Sequence, residues 1–279
     1  MSNLLIAPSA IIAAISWVTQ LEYGRMAQVK SRKYPPIECG DIYFLYRPAV
    51  GVDEAHGFKD VRRLYILLKP CGTQIYRLLI VGRKKLPAPE EHDRFWAFVW
   101  RVFNDRAALN TELGYEEYET KTTGVRNIPP ARPAAEGIYT IVRHGEHTHL
   151  AYFLELPKRQ GPVERELNIK REASYIVVVK NPETPSPPNT GLGRTQEAEF
   201  PKELQEKFEG RRFIPVEPPD FLNYEGAEVV LIGASENAEQ ELGIEFRADE
   251  ETECTADILE DLKLPREIVR EPLFEGQWK

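Results

Sequence analysis

Hydrophobic positions along this chain fall into short runs separated by glycine, proline and charged residues, a pattern that predicts strands more often than helices. Gly40-Asp41-Ile42-Tyr43-Phe44-Leu45-Tyr46-Arg47 reads as one strand, Leu64–Pro70 as a second and Tyr76–Val81 as a third, with Arg94-Phe95 opening a fourth. The second half repeats the order. Gly137-Ile138-Tyr139-Thr140-Ile141-Val142-Arg143 carries the Ile-Tyr-x-x-x-Arg core of the first strand 96 positions later. Ala151–Pro157 then matches Leu64–Pro70 in tyrosine, leucine and proline, Tyr175–Val179 matches the third strand, and Arg212-Phe213 matches Arg94-Phe95. Leu109-Asn110 and Leu222-Asn223, then Gly114 and Gly226, precede last strands near Tyr115–Thr122 and Ala227–Ile232.

Matching punctuation at near-constant offset is the mark of internal duplication. Chance likeness between two β-rich halves is the alternative. On this reading the chain divides into an N-terminal extension (1–35), a first β-rich module (36–123), a proline-rich linker (124–136), a second module (137–233) and an acidic tail (234–279). Within the linker, Pro129-Pro130-Ala131-Arg132-Pro133 is not expected to pair in a sheet interior, because proline lacks the amide donor. Asn181–Phe200, with four prolines, reads as a long loop, and its Gly191-Leu192-Gly193 as turn chemistry rather than a phosphate loop. Helix signals are few: Pro201 to Phe208, stopped by Gly210, and Thr255 to Lys263 behind a hydroxyl cap. The predicted class is α+β, mostly antiparallel, with two similar sheets and few short helices.

Composition changes this picture little. At 42% hydrophobic and 29% charged, the chain has neither the bias of a disordered polymer nor that of a membrane protein. Cys39, Cys71 and Cys254 form no CxxC pair, which points away from a disulfide framework or thiolate zinc site and toward a cytoplasmic location. Charge is unevenly placed. From Ala234 onward, 14 acidic and 5 basic residues give the tail −9, so the other 233 residues carry about +1 of the total −8. Basic pairs such as Arg62-Arg63 alternate with acids, so nucleic acid is not an expected partner. Leu4 to Val18 is apolar but short for a membrane span, and lacks the basic start of a secretory signal. Translation from Met26 is the preferred reading of that stretch; a membrane-surface contact through residues 1–33 is the alternative.

The densest chemistry is His144-Gly145-Glu146-His147-Thr148-His149, three of the five histidines within six residues. A two-residue loop with glycine first favours a type II′ hairpin, because glycine accepts positive φ. His144 and His147 then face each other, and alternation puts His149 on the same side. The opposite side holds Tyr139, Ile141, Leu150, Tyr152, Leu154 and Leu156, the expected core face. The histidines accordingly belong to the less apolar face, at a hairpin tip.

Three readings of that tip are weighed: a solvated turn without function, a site for a divalent metal such as zinc held by His144, His147 and His149, and a set of acid/base or anion-binding imidazoles. Arg47 and Arg143, at the same repeat position, are candidate ligand- or anion-binding residues, with surface ion pairs as the plainer account. No HExxH or GxSxG motif occurs, and no histidine follows His149. His92 could join the cluster only if the two modules face each other. Trp96 and Trp100 are read as core, and the tail is expected to dock through Ile258, Leu259 and Leu262. The leading expectation is a non-enzymatic binding or interaction protein, its partner a protein or small molecule. The alternative is a metal-dependent hydrolase using the same histidines, with Glu146 as the nearest base.

Overall fold

The computed structural model describes residues 29–31, 33–120, 124–186, 196–247, 256, 258–259, 262, 264 and 269–278. Two antiparallel meanders account for most of the strand residues. The first consists of β2 (Pro36–Pro48), β3 (Val61–Pro70), β4 (Tyr76–Val81) and β5 (Arg94–Phe103). The second consists of β8 (Arg132–His144), β9 (His147–Leu156), β10 (Glu172–Lys180) and β12 (Glu228–Ser235). Antiparallel pairing of β2 with β8 and of β5 with β12 joins the two into one closed eight-stranded barrel. The expectation of two separate sheets is therefore corrected, and α+β is too loose a class for a barrel whose helices are short and peripheral. Each meander alone has two open edges, and closure satisfies them all.

A closed barrel of eight strands is just wide enough for side chains to fill it. Ile42, Phe44 and Tyr46 from β2, Leu64, Ile66 and Leu68 from β3, and Tyr139 and Ile141 from β8 point inward. Leu150, Tyr152 and Leu154 from β9, with Tyr175, Val177 and Val179 from β10, complete most of that core. The outside is also covered along much of the wall, which is why Ile42 to Tyr46 reads as an unbroken apolar run instead of an alternation. Over β2, β3 and β4, the outward Tyr43, Leu45, Tyr65 and Leu67 pack against Leu109 and Leu113 of the helix Arg106–Leu113. That helix begins where Asp105 accepts a hydrogen bond from the Ala108 amide at 3.1 Å. Ile258, Leu262, Val269 and Leu273 of the acidic tail lie in the same cluster, so the tail docks.

Over β8 and β9, the outward Ile138, Val142 and Ala151 pack against Ala238 and Leu242 of the short helix Ala238–Leu242. A two-stranded ribbon, β1 (Val29–Ser31) with β13 (Ile244–Phe246), covers the same wall. The strand expected near Tyr115–Thr122 is β6 (Glu116–Thr120), which pairs only with β7 (Gly124–Ile128) outside the barrel. The strand beginning at Phe213 is β11 (Phe213–Pro215), a short addition to the end of β10. In the barrel, β12 therefore occupies the place in the second meander that β5 occupies in the first. Pro133, assigned to a linker by sequence, stands in β8 opposite Leu45, next to a register shift between Phe44 and Leu45. A bulge is the one interior place where a strand tolerates a missing amide donor.

Leu4 to Val18, Met26 and Gly191-Leu192-Gly193 lie outside the described residues, as does most of Thr255–Lys263. Among the described residues, no helix is long and apolar enough to cross a membrane.

Candidate metal centre

The β8–β9 hairpin turns at Gly145-Glu146, and Gly145 takes φ 62° while Glu146 does not enter the positive-φ region. Register pairs His144 with His147 and Val142 with His149. The three imidazoles share the outer side of the hairpin, opposite the barrel core, but they do not share an environment. His147 is exposed at the tip, His144 is half-buried, and His149 is only 3% exposed. What covers His149 is the helix Ala238–Leu242, which starts after Asn237 and stops at Gly243 in the left-handed conformation.

That helix brings Glu241 to the hairpin. Its Oε1 lies 3.9 Å from Nδ1 of His149, too far for a hydrogen bond, and among the described residues Nδ1 has no hydrogen-bond partner. The second carboxylate oxygen accepts a hydrogen bond from the hydroxyl of Ser174, a fully buried residue on the adjacent β10. The His144 ring sits 5.4 Å from the His149 ring and 4.6 Å from that of Tyr34. One nitrogen of His144, one of His149 and one oxygen of Glu241 all fall within 4.8 Å of one another.

Burial pushes the His149 imidazole down to about 4, helped by the neighbouring His144 and His147. At neutral pH the ring is uncharged and keeps a lone pair for donation. Two imidazoles and a carboxylate are a common donor set for zinc, and ligands about 2.0–2.2 Å from one ion can span a gap such as that between Nδ1 and Oε1. Ser174 fixes the carboxylate from behind, as an outer partner of a metal ligand does. Burying an imidazole with an unanswered nitrogen is costly, and a cation is one partner whose chemistry these donors fit.

Of the residues singled out by sequence, the structure brings together His144 and His149. His147 lies outside the three-donor group. Arg47 and Arg143 stand at opposite ends of the β2–β8 pair, on the order of 40 Å apart along the strands. Arg47 is buried, with its guanidinium hydrogen-bonded to the Glu112 carbonyl and 3.8 Å from the Glu116 carboxylate. Arg143 is 57% exposed, 3.5 Å from Glu217, and lines a groove of about 560 Å³ with Glu146, Lys207 and Arg211. His92 is in the β4–β5 loop at the far end of the barrel, its Nδ1 3.0 Å from the Gly233 carbonyl. Trp96 and Trp100 are half-buried on the outer face of β5: Trp96 stacks on Phe98, whereas Trp100 packs against the outer apolar cluster beneath Arg63 and Arg101.

Sequence reasoning missed Glu241 and Ser174. The helix was not read from sequence; the signal that could have marked it is the run of good helix formers Ala238-Glu239-Gln240-Glu241-Leu242 stopped by Gly243, though nothing local names its docking site. No protein-family model matches the sequence, and neither a curated protein nor a solved structure matches it.

Proposed function

We propose that this chain is a binding protein that holds a divalent cation, zinc by preference, between His144, His149 and Glu241. The observation that carries the reading is the buried Nδ1 of His149, unpartnered among the described residues and aimed at a carboxylate 3.9 Å away. A separate groove at the same hairpin tip, lined by Arg143, Lys207 and Arg211, has the volume of a small-molecule site and is the place for an anionic or protein ligand. Arg143 is the anion-binding candidate of the two arginines, since Arg47 is already engaged inside. A cytoplasmic location belongs to the same proposal, on the cysteine usage of the chain. Nucleic acid is not among the proposed partners, since the charge outside the tail is close to neutral.

Metal analysis of untagged protein tests the site directly. Zinc should be present in stoichiometric amount, and calorimetric titration of chelated protein should restore it. Replacing an outer partner of a metal ligand typically costs about 10–100-fold in affinity, so His149→Ala and Glu241→Gln should each exceed that. A folded, chelated protein that takes up no zinc ends the proposal.

A second reading, a metal-dependent hydrolase, is favoured by one feature: three protein donors leave a fourth coordination position open, as in catalytic zinc sites. A bound zinc ion lowers the pKa of a coordinated water, and Glu146, at the exposed tip, is the nearest carboxylate outside the donor set on the hairpin. Zinc-dependent ester or phosphoester hydrolysis lost in Glu241→Gln would move the assignment to that class.

Internal duplication is the evolutionary part of the proposal. It is supported by first strands of 13 residues and second strands of 10 in both meanders. It is also supported by Gly40 and Gly137, where an added Cβ would come within 2.1 Å of a carbonyl oxygen in the next strand in each case.

A further inference from the structure

Cys39 and Cys71 are far apart in sequence and adjacent in space. The β2–β3 register pairs Gly40 with Pro70, so one step further the two cysteines stand opposite each other, and the Cys71 amide donates to the Cys39 carbonyl at 2.9 Å. Residues in such a hydrogen-bonded antiparallel pair have Cα atoms about 5.5 Å apart. A disulfide spans roughly 4.4–6.8 Å between Cα atoms. The side chains meet as well as the backbones. Cys71 packs against the outer cluster that contains Cys39, and both are thiols.

Their environments differ in a useful way. Cys71 is half-exposed at the end of β3, where a small oxidant can reach it. Cys39 is buried beside it. A hydrogen bond from the Cys71 side chain pulls the Cys39 thiol below its ordinary value, against the opposing effects of burial and Glu38.

We propose that Cys39 and Cys71 form a reversible disulfide when the protein meets hydrogen peroxide, with Cys71 as the oxidised thiol and Cys39 as the resolving one. Cys39 takes up the proton that Cys71 donates in their shared hydrogen bond, the Cys71 thiolate attacks one peroxide oxygen, the O–O bond breaks, and the leaving hydroxide takes the proton back from Cys39 to become water. Cys71 is then a sulfenic acid. The Cys39 thiolate attacks that sulfur, the S–S bond forms, the S–O bond breaks, and a second hydroxide takes up a proton. Two thiols and one peroxide give one disulfide and two waters, the sulfurs losing two electrons and the peroxide gaining them. The bond ties the start of β2 to the end of β3 and lies in the same outer cluster as Val142, the cross-strand partner of His149.

Peptide mapping of the wild-type chain tests the proposal. The folded protein is treated with equimolar hydrogen peroxide, alkylated and digested without reductant; tryptic cleavage at Arg63 separates the two cysteines. Most molecules should yield the Cys39 peptide linked to the Cys71 peptide, two hydrogens lighter than the sum, and dithiothreitol should return both thiols. In Cys39→Ala, the sulfenic acid on Cys71 should persist and be trapped by a dimedone probe at least about tenfold more than in wild type. Full alkylation of both thiols after peroxide, or linkage chiefly to Cys254, overturns the assignment. If Cys39→Ala does not fold, the wild-type map alone decides.

Discussion

The two meanders of the barrel share the lengths of their first two strands and the position of a crowded glycine, yet their outer walls carry different side chains. Over β2, β3 and β4, Leu109, Leu113 and the tail residues Ile258, Leu262 and Leu273 form an apolar cover. Over β8 and β9 the cover is a short helix that sets a carboxylate against two imidazoles. The hairpins differ to match. β2 and β3 are joined by a loop of a dozen residues, whereas β8 and β9 turn on Gly145-Glu146 alone, tight enough to bring His144 and His149 together. One frame thus carries an apolar wall and a wall with a histidine–carboxylate group, and the difference lies in what is laid on the outside.

The separation of those walls can be broken or sharpened by experiment. Leu109→Ala removes a fully buried side chain from the apolar cover and should cost about 2–5 kcal/mol in urea unfolding. Zinc affinity should stay within about twofold, since the histidine site lies on the other wall; a parallel loss of zinc binding shows that the walls are coupled.

Glu164 tests an asymmetry in the connections between strands. It lies in the β9–β10 connection, fully buried, with one oxygen accepting the Gly161 amide at 2.5 Å and the other without a partner among the described residues. Burial pushes its carboxyl up to about 7, with the Gly161 hydrogen bond opposing. Because the folded value is raised, its contribution to stability is full below about pH 4.5 and fades as pH rises through about 7. Wild-type stability relative to Glu164→Gln should therefore fall by about 3 kcal/mol across that window. A flat difference between the two proteins means the carboxyl is not held neutral.

Gly40→Ala and Gly137→Ala probe the likeness of the halves instead. Each added methyl meets backbone in the neighbouring strand, so each should cost about 1–3 kcal/mol, and by similar amounts. Unequal costs, read from thermal and chemical unfolding, weaken the case for duplication.

Much of the barrel wall was legible locally. Tyr76–Val81 matches β4 at both ends, and Arg94 opens β5 as expected. The pairing of His144 with His147 followed from one glycine and the period of a strand. Closure was not legible, because β5 chooses β12 and β2 chooses β8 across long stretches of chain, and no local pattern names a distant partner. Pro133 misled for a related reason: the bulge that accommodates it belongs to the pair of strands, not to either one. Glu241 was hidden by the same distance, since the helix that carries it is unremarkable until it meets the hairpin.

The seams of the barrel also constrain its synthesis. A ribosome delivers β2 through β5 long before β8 and β12 emerge, so for that interval the nascent sheet has two bare flanks of amides and carbonyls. Only when Glu228–Ser235 leaves the exit tunnel can both flanks be paired, and only after Phe246 can β1 find its mate. Chains released early present sticky borders to one another, which makes this a protein whose production depends on translation running through to its last third.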